Sequence, residues 1–291
     1  MYPSRFRYEA PHTLDDAIGL LHDGGGEAKV LAGGQSLIPL IKLRFASPEL
    51  LVDINEIAEL AYAQVGSDGA MHIGALCRHS HLEHGGDRFA SYPTMAAAAP
   101  LIADPIVRNR GTLVGSLCHA DPQGDWASVV TALGGHVIAR GPGGQRAIPM
   151  TDLVSGPFQT VLAYDEIAIE AVIPAPKDEP AGGYLKLERR VGDFATAGVA
   201  VALERRGDSI TRAGIALTGV GSSTIDAAEA GQSLVGSALT ADRIAQAADL
   251  AAQAARPRTD HRGSAEFKRH IVHTFVTRIL RRVAESADRA A

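Results

Sequence analysis

Pro174, Pro176, Pro180 and the pair Gly182-Gly183 crowd the stretch 174–183, and a buried element does not run easily through such a stretch. Proline removes a backbone donor and fixes φ, while glycine weakens whatever it interrupts. The stretch therefore reads as a linker, with a domain boundary near 176–182 and an α+β lobe on each side. At 291 residues the chain is long enough for two domains. These are expected at 1–177 and 178–287.

Upstream, Thr13 and Asp16 resemble a capping box. Leu14, Ala17, Ile18, Leu20 and Leu21 then form a helical stripe that stops at Gly24, Gly25 and Gly26. A strand at 29–32 runs into a glycine pair and a short helix at 37–43. Further strands are expected at 50–54, 71–75 and 167–173, with a hairpin over 136–148. Helices are expected at 78–84, 94–103 and 126–133, the second broken by Asp104-Pro105. Residues 111–118 read as a turn and strand. Downstream, 197–204 and 209–218 form a long hairpin, and helices follow at 224–234, 241–255 and 265–285. In the last of these, Phe267, Ile271, Phe275, Ile279 and Val283 form a stripe expected to be buried.

Charge and cysteine usage exclude several classes. The net charge is −5, from 28 basic and 33 acidic residues mixed along the chain, so no basic stripe points to nucleic acid. Arg278, Arg281 and Arg282 sit near a helix end, where the dipole favours cations. Cys77 and Cys118 are too few for a disulfide framework or a cysteine-held metal cluster. The first residues lack the apolar core of a signal peptide, and no apolar run approaches membrane-spanning length. A reduced, cytoplasmic setting is expected.

Two segments carry candidate chemistry. In the first, a strand enters Ala32, Gly33, Gly34, Gln35 and Ser36. Glycine takes φ > 0 freely and leaves no Cβ in the way, so backbone amides there can converge on an anion, and Ser36 adds a hydroxyl. A plain Gly-Gly turn accounts for that loop taken alone equally well. The second segment is denser, with Gly111, Thr112, Leu113, Val114, Gly115 and Ser116 followed by Asp121 and Asp125. Hydroxyls and amides suit phosphate, and carboxylates suit ribose or ribityl hydroxyls. A Rossmann fingerprint, a Walker loop and a nucleophile elbow are all missing. The groups Cys118-His119-Asp121 and His79-His81-His84 lack zinc spacing.

Three blocks in order, over 31–44, 102–116 and 186–197, closely resemble the medium, FAD-binding subunit of the molybdenum hydroxylases. This is the carbon monoxide dehydrogenase and xanthine dehydrogenase family, and the resemblance runs nearly end to end. It implies a vanillyl-alcohol-oxidase (PCMH)-type FAD-binding domain of two lobes, followed by a C-terminal domain with an antiparallel sheet and helices. Ala32–Ser36 and Thr112–Ser116 would wrap the FAD diphosphate, and Asp125 would contact the cofactor's polar chain. Ile102 and Phe194 would flank the isoalloxazine ring, and Lys186 would lie near its pyrimidine edge, where a cation favours the reduced ring.

The resemblance further implies a large partner subunit with molybdopterin cytosine dinucleotide and a small partner with two 2Fe–2S clusters, assembled as a dimer of heterotrimers. Electrons would pass from the clusters through FAD to an external acceptor. The substrate (carbon monoxide, a purine, an N-heterocycle or an aldehyde) would be oxidised on the large subunit. Two other functions fit the same fold: a free-standing flavoprotein oxidoreductase, and an assembly subunit without flavin. Three residues depart from the commoner family pattern. Gln35 replaces a histidine, Ser116 replaces an asparagine, and Val114 replaces a glycine where backbone approach should be tightest, so the second loop is expected to sit differently at 114–116.

Overall fold

The computed structural model describes residues 2–290; Met1, where the first expected domain begins, lies outside them. A small parallel sheet comes first, with Leu50–Asp53 between Arg7–Glu9 and Ala28–Leu31. The helix Leu14–Asp23 buries Leu14, Ala17, Ile18 and Leu21, and the Thr13 hydroxyl accepts the Asp16 amide at 3.1 Å. The second lobe is a five-stranded antiparallel sheet in the order Ala63–Val65, Met71–Gly74, Ile167–Ile173, His136–Gly141, Gly144–Pro149. One apolar core, which includes the fully buried Trp126, runs through both lobes and their helices.

The last unit is a four-stranded antiparallel sheet, Glu179–Leu187, Ala197–Arg206, Ser209–Thr218 and Ile225–Asp226. Its two faces differ. Val199, Val201, Leu203, Ile215 and Leu217 pack on the helices Ala241–Ala254 and Ala265–Ala290. Tyr184, Ala200, Ala202 and Ala216 instead join the core of the first unit. A strand covered on both faces loses its polar alternation, which is why 197–203 reads as an unbroken apolar run. The alanines on the second face let the helix Asp125–Ala132 pack close against the sheet.

Four expectations are corrected. The proline-rich stretch is less of a linker than expected, because a strand starts at Glu179; Pro180 is accommodated on the sheet's edge strand, where its missing donor costs little. Residues 111–118 hold a helix, Leu113–His119, in place of a strand, because extended Thr112 caps it by accepting the Gly115 amide at 3.1 Å. Residues 224–234 split into the strand Ile225–Asp226 and the helix Ala228–Gln232. Phe267 is 43% exposed. Steps of four residues drift around a helix with 3.6 residues per turn, so the buried face instead follows Val272, Phe275, Val276, Ile279 and Val283. Among the described residues, no helix is long and apolar enough to cross a membrane.

Candidate functional site

The first glycine loop leaves the parallel sheet after Leu31. Gly34 adopts φ +73°, a conformation that side chains rarely take. Among the described residues, nothing accepts a hydrogen bond from the amides of Gly34, Gln35 and Ser36. Ser36 stands at the start of the helix Leu37–Lys42, yet its hydroxyl caps nothing. Gln35 is exposed and donates to the Gly33 carbonyl at 3.1 Å. The loop thus presents donors without protein acceptors.

The second loop lies against the first. A methyl on Gly33 would stand 2.4 Å from the Arg110 carbonyl oxygen and 2.8 Å from the Gly111 α-carbon. Here Thr112 organises the amides: its side chain takes the Gly115 amide and its carbonyl takes that of Ser116. Leu113 and Val114 are buried in the core, while Gly115 is exposed and Ser116 half-buried. The Val114 side chain therefore points away from the loop's open face. The expected displacement at 114–116 has no steric cause, because the helix turns that Cβ inward.

Sequence reasoning missed the residues that join the loops. Asn55 Nδ2 donates to the Ala32 carbonyl at 2.8 Å, and Arg78 donates from Nη2 to Asn55 Oδ1 at 2.5 Å and from Nη1 to the Arg110 carbonyl at 2.6 Å. Behind them, the His79 amide donates to the Gly111 carbonyl at 2.9 Å, and His79 Nδ1 accepts Trp126 Nε1–H at 3.0 Å. Burial, with Arg108 and Arg78 nearby, pushes the His79 imidazole down to about 4. An Asn or Arg far from the glycines in sequence carries no local signal for such a role.

A third cluster lies where the two units meet. Lys186 Nζ donates to the Leu101 carbonyl at 2.8 Å and pairs with Asp125 Oδ2 at 3.1 Å. Asp125 Oδ1 accepts the Tyr184 hydroxyl at 2.5 Å. Burial raises the Asp125 carboxyl above its ordinary range despite the opposing pull of Lys186, and it raises the Tyr184 phenol well above its own. Both Asp125 oxygens are thus engaged by protein groups. Glu188 Oε2 lies 3.2 Å from Lys186 Nζ but in a geometry that makes no hydrogen bond, so this buried oxygen has no donor among the described residues.

Ile102 is buried beside this cluster, and Phe194 is 49% exposed. Ala103 takes φ +47°, and Arg108 Nη1 holds the carbonyls of Ile102 and Ala103, each at 3.0 Å. In the loop that carries Phe194, a Cβ placed on Gly192 would stand 3.0 Å from the Ala103 carbonyl oxygen, so the backbones there would have to give way to admit one. The segment 101–116 therefore runs from the Lys186 cluster at one end to the glycine loops at the other.

This arrangement fits an elongated, anionic dinucleotide cofactor such as FAD. Unpartnered amides and a free serine hydroxyl meet a diphosphate, and the cradle at Gly33 is too tight for any Cβ. Glu188 Oε2 offers a buried acceptor at the opposite end.

Two family profiles match the chain: the FAD binding domain in molybdopterin dehydrogenase over residues 4–176, and the CO dehydrogenase flavoprotein C-terminal domain over 183–283. The carbon monoxide dehydrogenase medium chain of Hydrogenophaga pseudoflava is 39% identical over 281 residues, 96% of this chain and 97% of that protein. The 6-hydroxypseudooxynicotine dehydrogenase complex subunit alpha of Paenarthrobacter nicotinovorans is 37% identical, with 99% and 97% covered. The carbon monoxide dehydrogenase structure from Hydrogenophaga pseudoflava, in a form lacking the Mo-pyranopterin moiety, superposes with a TM-score of 0.93 at 39% identity, covering 99% of each chain.

Proposed function

The chain belongs to the medium, FAD-binding subunits of the molybdenum hydroxylases, the carbon monoxide and xanthine dehydrogenase type, and from that premise we propose how its residues serve the complex. It is an FAD-carrying subunit of an oxidoreductase, and its relatives are medium subunits of multi-subunit complexes. FAD, when bound, supplies a centre that accepts electrons from iron–sulfur clusters and releases them to an external acceptor.

In our reading the chain's own residues bind and orient that cofactor. The amides of Gly33, Gly34, Gln35 and Ser36 and the loop from Thr112 to Ser116, with Leu113, Val114 and Gly115 forming its turn, hold the diphosphate. Ala32 contributes backbone only. Ile102 and Phe194 flank the isoalloxazine ring and limit water. Lys186 offers a cation to its pyrimidine edge, held in place by Asp125, so Asp125 acts on the cofactor chiefly through Lys186. The partners are a large subunit with molybdopterin cytosine dinucleotide and a small one with two 2Fe–2S clusters, in a cytoplasmic dimer of heterotrimers. Substrate choice rests with the large subunit.

One observation carries this reading: the first loop, with unpartnered amides at Gly34, Gln35 and Ser36, packs backbone to backbone at Gly33 against the second. The test is to purify the complex through a tag on this chain. We expect stoichiometric FAD, released on denaturation, and flavin bleaching only when the iron–sulfur partner is present. A complex without FAD, or flavin reduced directly by substrate in this chain alone, would sink the reading.

A further inference from the structure

We propose that Arg78 and Asn55 are positioning residues that set the gap between the two glycine loops, and thereby the affinity for the FAD diphosphate. The inference rests on the flavin reading above. Three hydrogen bonds run in series from the Ala32 carbonyl through Asn55 and Arg78 to the Arg110 carbonyl. They span the backbone that flanks Gly33 on one side and Gly111 on the other. Both ends of the chain act on main-chain oxygens, so the bridge fixes loop positions and not only side chains.

Each member is itself held. Asn55 sits in the turn after Leu50–Asp53, where its amide donates to Asp53 Oδ1 at 3.0 Å. Arg78 is extended, precedes the helix His79–Glu83 and pairs as an isolated bridge with Thr112. Its planar fork reaches two acceptors at once, which a lysine ammonium does not reproduce. The guanidinium also stays charged, and it is half-buried between loops expected to receive a dianion.

The experiment uses the purified complex, stripped of flavin and titrated with FAD while flavin fluorescence reports binding. Arg78→Met and Asn55→Ala should each weaken FAD binding roughly tenfold to a hundredfold, with the unfolding midpoint of the complex little moved. The double variant should bind no more weakly than the worse single one, because either change breaks the same bridge. Arg78→Lys should recover little. Should Arg78→Met fail to assemble, Asn55→Asp keeps an acceptor for Arg78, loses the Nδ2 donor to the Ala32 carbonyl and to Asp53 Oδ1, and should still weaken FAD. Wild-type affinity in these variants, additive losses, or full recovery by lysine would each overturn the proposal. A wild-type complex that takes up no FAD would overturn the flavin reading itself.

Discussion

The two glycine loops reach similar chemistry by different means. The Ala32–Ser36 loop frees its amides through backbone conformation alone: Gly34 is left-handed, Ser36 caps nothing, and the loop stays half-open to solvent. The Thr112–Ser116 loop is the capped start of a helix whose Leu113 and Val114 are rooted in the core. The first depends on the absence of side chains, and the second on side chains pointing the other way. Substitutions should therefore act on them unequally.

The largest effect is expected from a single methyl. Gly33→Ala places a Cβ 2.4 Å from the Arg110 carbonyl oxygen. Backbone cannot move aside there without separating the loops, so FAD retention should fall at least a hundredfold, about 3 kcal/mol. In Gly115→Ala the new methyl meets the Thr112 hydroxyl at 2.7 Å. A weakened cap costs about 1 kcal/mol, and alanine's helix propensity returns a similar amount. Flavin content of the two purified complexes should differ sharply. Equal losses would erase the contrast between the loops.

The second loop's anchorage should show in its acid response. The folded His79 imidazole titrates at about 4, below its ordinary value of 6.5. Neutral His79 accepts the Trp126 indole proton, and protonation abolishes that acceptor. With a depressed folded value, the contribution to stability is full above roughly pH 6.5 and is lost as pH falls toward 4, up to about 3 kcal/mol. Urea unfolding across that range should lose this slope in His79→Gln, whose carbonyl still accepts from Trp126. An unchanged slope would remove His79 from the account.

Legibility followed the range of the interactions. Local signals mark their elements: the Thr13 cap, the strand into Gly33, and the long hairpin after 197 all appear where expected. The helix at Leu113–His119 was missed because Thr112 and Val114 are β-branched and position 115 holds Gly where a capping box would have Glu. The Asn55–Arg78 bridge was missed for another reason. Its members stand 23 residues apart, and only the fold brings them to the same pair of carbonyls. Lys186 and Asp125 were named separately, whereas their pairing across 61 residues required the C-terminal sheet to dock on the first core.

Val114 gives the smallest expected effect on FAD binding and the sharpest test of the comparison. If its side chain crowded the cofactor, as its position in the loop suggests, trimming it should tighten FAD binding. The structure buries it to 2% exposure among core residues. Val114→Ala then removes two buried methyls, about 2 kcal/mol, partly offset by alanine's better helix propensity. Thermal unfolding should register a net loss of about 1–2 kcal/mol, while FAD affinity stays within about twofold of wild type. Tighter FAD binding would mean that this side chain does face the ligand, and that both loops depend on the absence of side chains after all.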